Sequence, residues 1–131
     1  MGLDMYAWTV DPADLDDQDV TRQVDVTLPK QNVNELWYWR KHHDLHGWME
    51  SLYRQKGGAA ESFNCVTVRL TYADLTRLEI AIKGNELPAT TGLFFGNNPP
   101  DEESNEQDMK FISAAKQAIE DGKAVFYDSW W

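Results

Sequence analysis

Apolar positions in this chain alternate with polar ones in some stretches and recur at helical spacing in others. "LDMYAWTV" (3–10) is rich in β-prone residues and reads as a strand. The acidic "DPADLDDQD" (11–19) reads as a loop. "VDVTL" (24–28) alternates as a half-buried strand does, and Pro29 ends it. Residues 33–56 carry the longest helical pattern. Asn32 or Asn34 offers a cap, Glu35 stands three positions after Asn32 as in a capping box, and Gly57 and Gly58 close it. "FNCVTVRL" (63–70) reads as a further strand. Thr71 and Asp74 then open a second helix, with Leu75, Leu78 and Ile82 on its apolar stripe and Gly84 at its end. "TGLFFG" (91–96) is a short apolar strand and "NNPPDEESNE" a loop. Ser104 and Gln107 form another capping-box match for a third helix. Its stripe is Met109, Ile112, Ala115 and Ile119, and Gly122 ends it. "AVFYDSWW" reads as the last strand.

Alternating strands and helices hint at a parallel sheet. The strands are short and aromatic, however, and no Gly-rich strand-to-helix turn occurs. The expected class is therefore α+β: a mixed, mostly antiparallel sheet of four or five strands, with about three helices largely on one face. The 131 residues fit a single domain, 1–131, without internal repeat or dividing linker.

The segment "YWRKHHDLHGW" (38–48) concentrates the candidate chemistry. On the predicted helix, Tyr38, Leu45, Met49 and Leu52 share a core face flanked by Trp37 and Trp48. A second stripe holds Trp39, His42, His46 and Tyr53. Lys41 falls inside the apolar face, where an ammonium needs a counter-charge, an escape along the helix edge, or a pocket. A small-ligand site would bring together Asp4, Tyr38, Trp39, Arg40, Lys41 and His46. Arginine and lysine suit a phosphate or carboxylate, Trp39 suits stacking on a planar base, and His46 would be the acid–base group. Asp4 with Arg40 or Lys41 is equally readable as a structural ion pair. His42 and His46 stand four apart, as paired metal ligands do, and Asp4 or Asp128 could join them. "HHDLH" lacks the glutamate of the HExxH pattern, so no metal and no cofactor is expected. No P-loop and no nucleophile motif is present in the sequence.

Charge narrows the partners. The formal net charge is -10. Asp4, Asp11, Asp14, Asp16, Asp17, Asp19 and Asp25 face only Arg22 in the first stretch, and Asp101, Glu102, Glu103, Glu106 and Asp108 cluster later. Such a surface repels phosphate backbones, so nucleic acid is not an expected partner, whereas a basic protein surface would be complementary. The single cysteine, Cys65, excludes a disulfide within the chain and reads as a small buried residue of a strand in a reducing compartment. No run reaches membrane-spanning length and no signal-peptide pattern opens the chain, so a cytoplasmic protein without membrane contact is expected.

"MGLDMY", "YWRKHHDLHGW", "TGLFFG" and "FYDSWW" resemble, in order and spacing, an uncharacterised family of small bacteriophage and bacterial proteins. That family has a GLDMY-like opening, a YWRK helix with a histidine five residues on, a TGFFFG-like strand and an aromatic end with serine and tryptophan. Gly2, Leu3, Asp4, Met5 and Tyr6 match the first segment. Tyr38, Trp39, Arg40, Lys41 and His46 match the second, and Thr91, Gly92, Phe94, Phe95 and Gly96 the third. His42 and His43 depart from the pattern, and the acidic loop after residue 10 looks like an insertion. The resemblance implies a phage-type protein of the host cytoplasm and brings no activity with it. The resulting expectation is a small acidic binding or interaction protein without catalysis, its partner a host protein with a basic surface. The alternative is a protein or enzyme that binds a small anionic ligand at the Asp4/Tyr38/Arg40/Lys41/His46 cluster. The terminal tryptophan pair leaves a homo-oligomer open.

Overall fold

A computed structural model of the chain describes residues 3–15, 23–29, 33–40, 43–61, 63, 65–84 and 102–130. Among these residues four strands, β1 (Asp4–Val10), β2 (Val33–Arg40), β3 (Val68–Leu70) and β4 (Ala124–Trp130), form one sheet in the order β2-β1-β4-β3. Every pairing is antiparallel. Three α-helices among the described residues accompany it: α1 (His43–Gln55), α2 (Tyr72–Lys83) and α3 (Glu102–Glu120). The class is α+β, as the sequence pattern predicts. No helix among the described residues is long and apolar enough to cross a membrane.

Strand alternation decides which side each residue takes. Leu3, Met5 and Ala7 are fully buried on one face of β1. There they join Trp39 of β2, Val68 and Leu70 of β3, and Val125 and Tyr127 of β4. All three helices cover this face: Leu45, Met49 and Leu52 from α1, Leu75, Leu78 and Ile82 from α2, and Phe111, Ile112 and Ala115 from α3. Each of the leucine, isoleucine, methionine and phenylalanine side chains, removed from water, stabilises the fold by roughly 1.5–3 kcal/mol. Among the described residues, the opposite face is covered at one end. There Val10, Leu15, Val26, Ala124 and Phe126 make a smaller cluster beneath the loop segments.

α2 begins as its sequence dictates. Thr71 Oγ1 accepts from the Asp74 N–H, and the Asp74 carboxylate accepts from the Thr71 N–H. α1 stops at Gly57, which takes φ +95°, a conformation that L side chains resist.

The predicted helix over 33–56 is corrected: residues 33–40 are strand β2, and the helix spans only His43–Gln55. Trp37, Tyr38 and Trp39 are strong strand formers, and β1 offers them a complete antiparallel ladder. Glu35, expected in a helix-capping box, lies within that strand. The register shifts between Ala7 and Trp8, pairing Trp37 with Ala7 but Glu35 with Trp8. This bulge turns both Leu36 and Trp37 toward the main core. Tyr38, predicted on the core face, is 45% exposed instead.

The predicted strand at 24–28 reduces to a single bridge between Val24 and Val68. Asp25 adopts φ 55°, which breaks the ladder. The Val26 N–H then donates to Thr67 Oγ1 at 2.7 Å. The strand expected over 63–70 shortens to Val68–Leu70, and Cys65 is exposed at φ 62° rather than buried in a strand. Ser104 lies inside α3, not at its start. The strand expected at 91–96, together with Lys41 and His42, lies outside the described residues.

Candidate functional site: the sheet face opposite the helices

β1 presents Asp4, Tyr6 and Trp8 to the side away from the helices. Strand pairing sets their neighbours: Arg40 and Trp130 flank Asp4, Tyr38 and Asp128 flank Tyr6, and Glu35 and Phe126 flank Trp8. The Tyr6 and Trp8 rings stack with centroids 5.5 Å apart, and Tyr38 leans on Tyr6 at 5.3 Å. The result is a continuous row of rings along the open face. Trp130, 64% exposed, stands at one end. Arg69 closes the other, its guanidinium 5.8 Å from the centroid of the Phe126 ring.

Carboxylates border this row and fix its polar edges. Tyr38 donates its phenol proton to Asp4 Oδ1 at 2.6 Å. That hydrogen bond is the main reason the Tyr38 phenol lies above its usual pKa; Arg40 nearby acts in the opposite sense. Tyr6 is also raised, first by loss of water around its hydroxyl and then by the charges of Asp4, Glu35 and Asp128. Trp8 Nε1 donates to Asp128 Oδ1 at 2.9 Å. Burial nevertheless pushes the Asp128 carboxyl above the ordinary aspartate range, and the indole bond offsets only part of that. Such a face offers flat π-surfaces beside anionic oxygens, which is the chemistry that receives ammonium and guanidinium groups.

The predicted site residues divide between the two sides of the sheet. Asp4, Tyr38 and Arg40 meet on the open face. Trp39 and His46 do not join them. Trp39 points into the helix-side core, where its Nε1 donates to the buried Asp108 Oδ1 at 3.1 Å and its ring meets Phe111 edge-on at 4.6 Å. It cannot stack on a ligand at the surface. His46 is 1% exposed, with Nδ1 2.7 Å from the Tyr127 hydroxyl and its ring against Phe63. Neighbours in a strand face opposite ways, so Tyr38 and Trp39 had to part. Asp4 and Asp128 lie across the sheet from His46 and do not approach it as metal ligands. Among the described residues no group of three or more His, Cys, Asp or Glu side chains could hold a metal ion.

Tyr6, Trp8, Asp128 and Trp130 belong to the face although the ring-rich segment drew attention elsewhere. The signal for Tyr6 and Trp8 is period-two alternation within "DMYAWTV", with acid and rings at even positions and Met5 and Ala7 at odd ones; Asp128 and Trp130 alternate likewise with Tyr127 and Ser129 in β4. The chain matches no protein-family model, no curated protein and no solved structure.

Proposed function

We propose that the chain is a binding protein without catalysis, whose partner is a protein that lays basic side chains on the open sheet face. The observation that carries this reading is the Tyr38–Tyr6–Trp8 ring row bordered by Asp4, Glu35 and Asp128. Stacked rings give area at little cost in side-chain entropy, and carboxylates beside them favour arginine and lysine. The net charge of -10 would speed encounter with a basic surface. The same carboxylates argue against a phosphate- or carboxylate-bearing ligand here, since Arg40 alone of the predicted cations meets them among the described residues. The resemblance to small phage and bacterial proteins supports a phage-type protein acting in a host cytoplasm.

The test uses an arginine-rich peptide, a glutamate-rich counterpart, and a host lysate from which bound proteins are captured. The arginine-rich peptide should bind saturably and weaken as salt rises. Tyr38→Ala with Trp130→Ala should abolish both peptide binding and the specific capture, without changing the melting temperature. Peptide binding unaffected by the paired substitutions, or equal binding of the glutamate-rich peptide, would refute the reading.

A further inference from the structure

Beside the ring row the sheet edge opens into a groove of about 420 Å³, lined by Asp25, Val26, Thr27, Leu28, Cys65, Val66, Thr67 and Asp128. That volume lies within the ~300–1,000 Å³ typical of small-molecule sites. Its walls are tied down. The Asp25 N–H donates to the Thr67 carbonyl at 3.0 Å and the Arg69 N–H to the Gln23 carbonyl at 2.8 Å. Thr67 Oγ1 accepts from the Val26 N–H and donates to the Val26 carbonyl at 2.8 Å. The Cys65 N–H donates to the Ser129 carbonyl at 2.7 Å. Among the described residues, the two non-glycine positions with positive φ, Asp25 and Cys65, both line this groove. Backbone of that kind persists where the surroundings hold it, and it collects at ligand clamps.

The lining specifies a chemistry. Among the described residues, its charged side chains are two carboxylates, Asp25 and Asp128, with no lysine or arginine beside them. Tyr53 donates to Asp25 Oδ1 at 2.7 Å and Trp8 to Asp128 Oδ1, which positions both carboxylates. Each carboxylate still has lone pairs to offer, because two oxygens can accept about four hydrogen bonds. Between the acids lie the apolar Val26, Leu28 and Val66. We propose that this groove binds a small free organic cation, an alkyl diamine or guanidino compound, with its charged ends on Asp25 and Asp128 and its stem on the aliphatic wall. The site shares Asp128 with the docking face but does not require its ring row.

Cys65 supplies the reporter, because it is exposed and is the chain's single cysteine. The experiment follows its labelling rate with a thiol reagent in the presence of 1,4-diaminobutane, the uncharged butane-1,4-diol, or an arginine-rich peptide. Calorimetry with the diamine gives a second readout independent of the thiol. The diamine should slow labelling saturably and the diol should not. Asp25→Asn and Asp128→Asn, which keep the acceptors for Tyr53 and Trp8, should each weaken the diamine at least roughly tenfold. Tyr38→Ala, which strips the docking face, should leave diamine binding intact. Equal protection by the diol, no heat and no protection with the diamine, or full binding by the double Asp→Asn variant would overturn the proposal. Protection by the peptide alone would also overturn it and give the groove to the docking partner.

Discussion

Trp8 and Asp128 stand 120 positions apart in sequence and are joined by a 2.9 Å hydrogen bond across the β1–β4 pair. The contact is diagonal, since Trp8 lies opposite Phe126 and Asp128 opposite Tyr6. It ties the ring row to the groove and places a carboxyl where water is partly excluded. Because burial raises the folded-state pKa of Asp128 above the ordinary 3.8, folding favours its protonated form. Its stabilising contribution is therefore present below the ordinary value and lost as pH rises through the raised one. Asp128→Asn keeps an acceptor for the indole and removes the charge. The variant should gain stability relative to the parent as pH rises from acid toward neutral. Urea melts at several pH values check this; a parent that gains on the variant instead would show that the charged form is the favoured one.

Asp74 should behave in the opposite sense. Burial alone would raise its pKa, but hydrogen bonds from Lys56 and Thr71 outweigh burial and hold it below 3.8. Its contribution is present above that ordinary value and lost as pH falls through the depressed one. The side chain is 3% exposed and is paired with both Lys56 and Arg77. Asp74→Asn leaves Lys56 without its counter-charge and should cost about 3 kcal/mol at neutral pH. The gap between parent and variant should narrow in strong acid. A constant gap from neutral to acid pH would disprove the ionic origin.

The Tyr38 phenol reports on the open face. With Asp4 as its acceptor it titrates above the usual tyrosine value. Asp4→Asn removes the charge and should bring the phenol back toward that value, with stability unchanged because both groups sit at the surface. Ultraviolet difference titration, with Tyr38→Phe subtracted to isolate this ring among the five tyrosines, reads the shift directly. An unchanged titration would break the assigned pairing.

Trp39 and His46 should respond as architecture. Trp39→Ala should cost about 3–5 kcal/mol by emptying the space against Phe111 and Tyr127. His46→Ala should likewise destabilise, through loss of ring packing and of the Tyr127 hydroxyl contact. Both variants, studied where they remain folded, should bind the basic partner as the parent does. A stable His46→Ala protein that no longer binds would return the histidine to the functional site.

Local chemistry was legible in the chain and distant pairing was not. Thr71 and Asp74 announce α2 because a capping box needs four consecutive residues and nothing else. Leu45, Met49 and Leu52 were readable as core because α1 carries its own period. β2 was misread because Trp37, Tyr38 and Trp39 fit either state until β1 is placed beside them. The helical period that begins at His43 extends backward over the preceding strand without a visible break. The same error put Tyr38 and Trp39 on faces they do not have. Asp4, Tyr38 and Arg40 lie near one another through a strand ladder rather than along a helix edge. The groove was hidden because it depends on Asp25 and Cys65 adopting left-handed backbone, a state that neighbouring contacts impose and residue type alone does not reveal.

The strand order β2-β1-β4-β3 also dictates a timetable. Of these four strands β1 is made first and β4 last, yet they are neighbours at the centre of the sheet. Until β4 emerges, β1 has one edge unpaired, and the apolar row of Met5 and Ala7 lacks Tyr127 and Val125. Contacts this far apart in sequence are slow to close and leave early intermediates prone to association. Rings and acids alternate along β1, and the repelling carboxylates of Asp4 and the acidic stretch that follows would discourage nascent chains from pairing with one another while they wait.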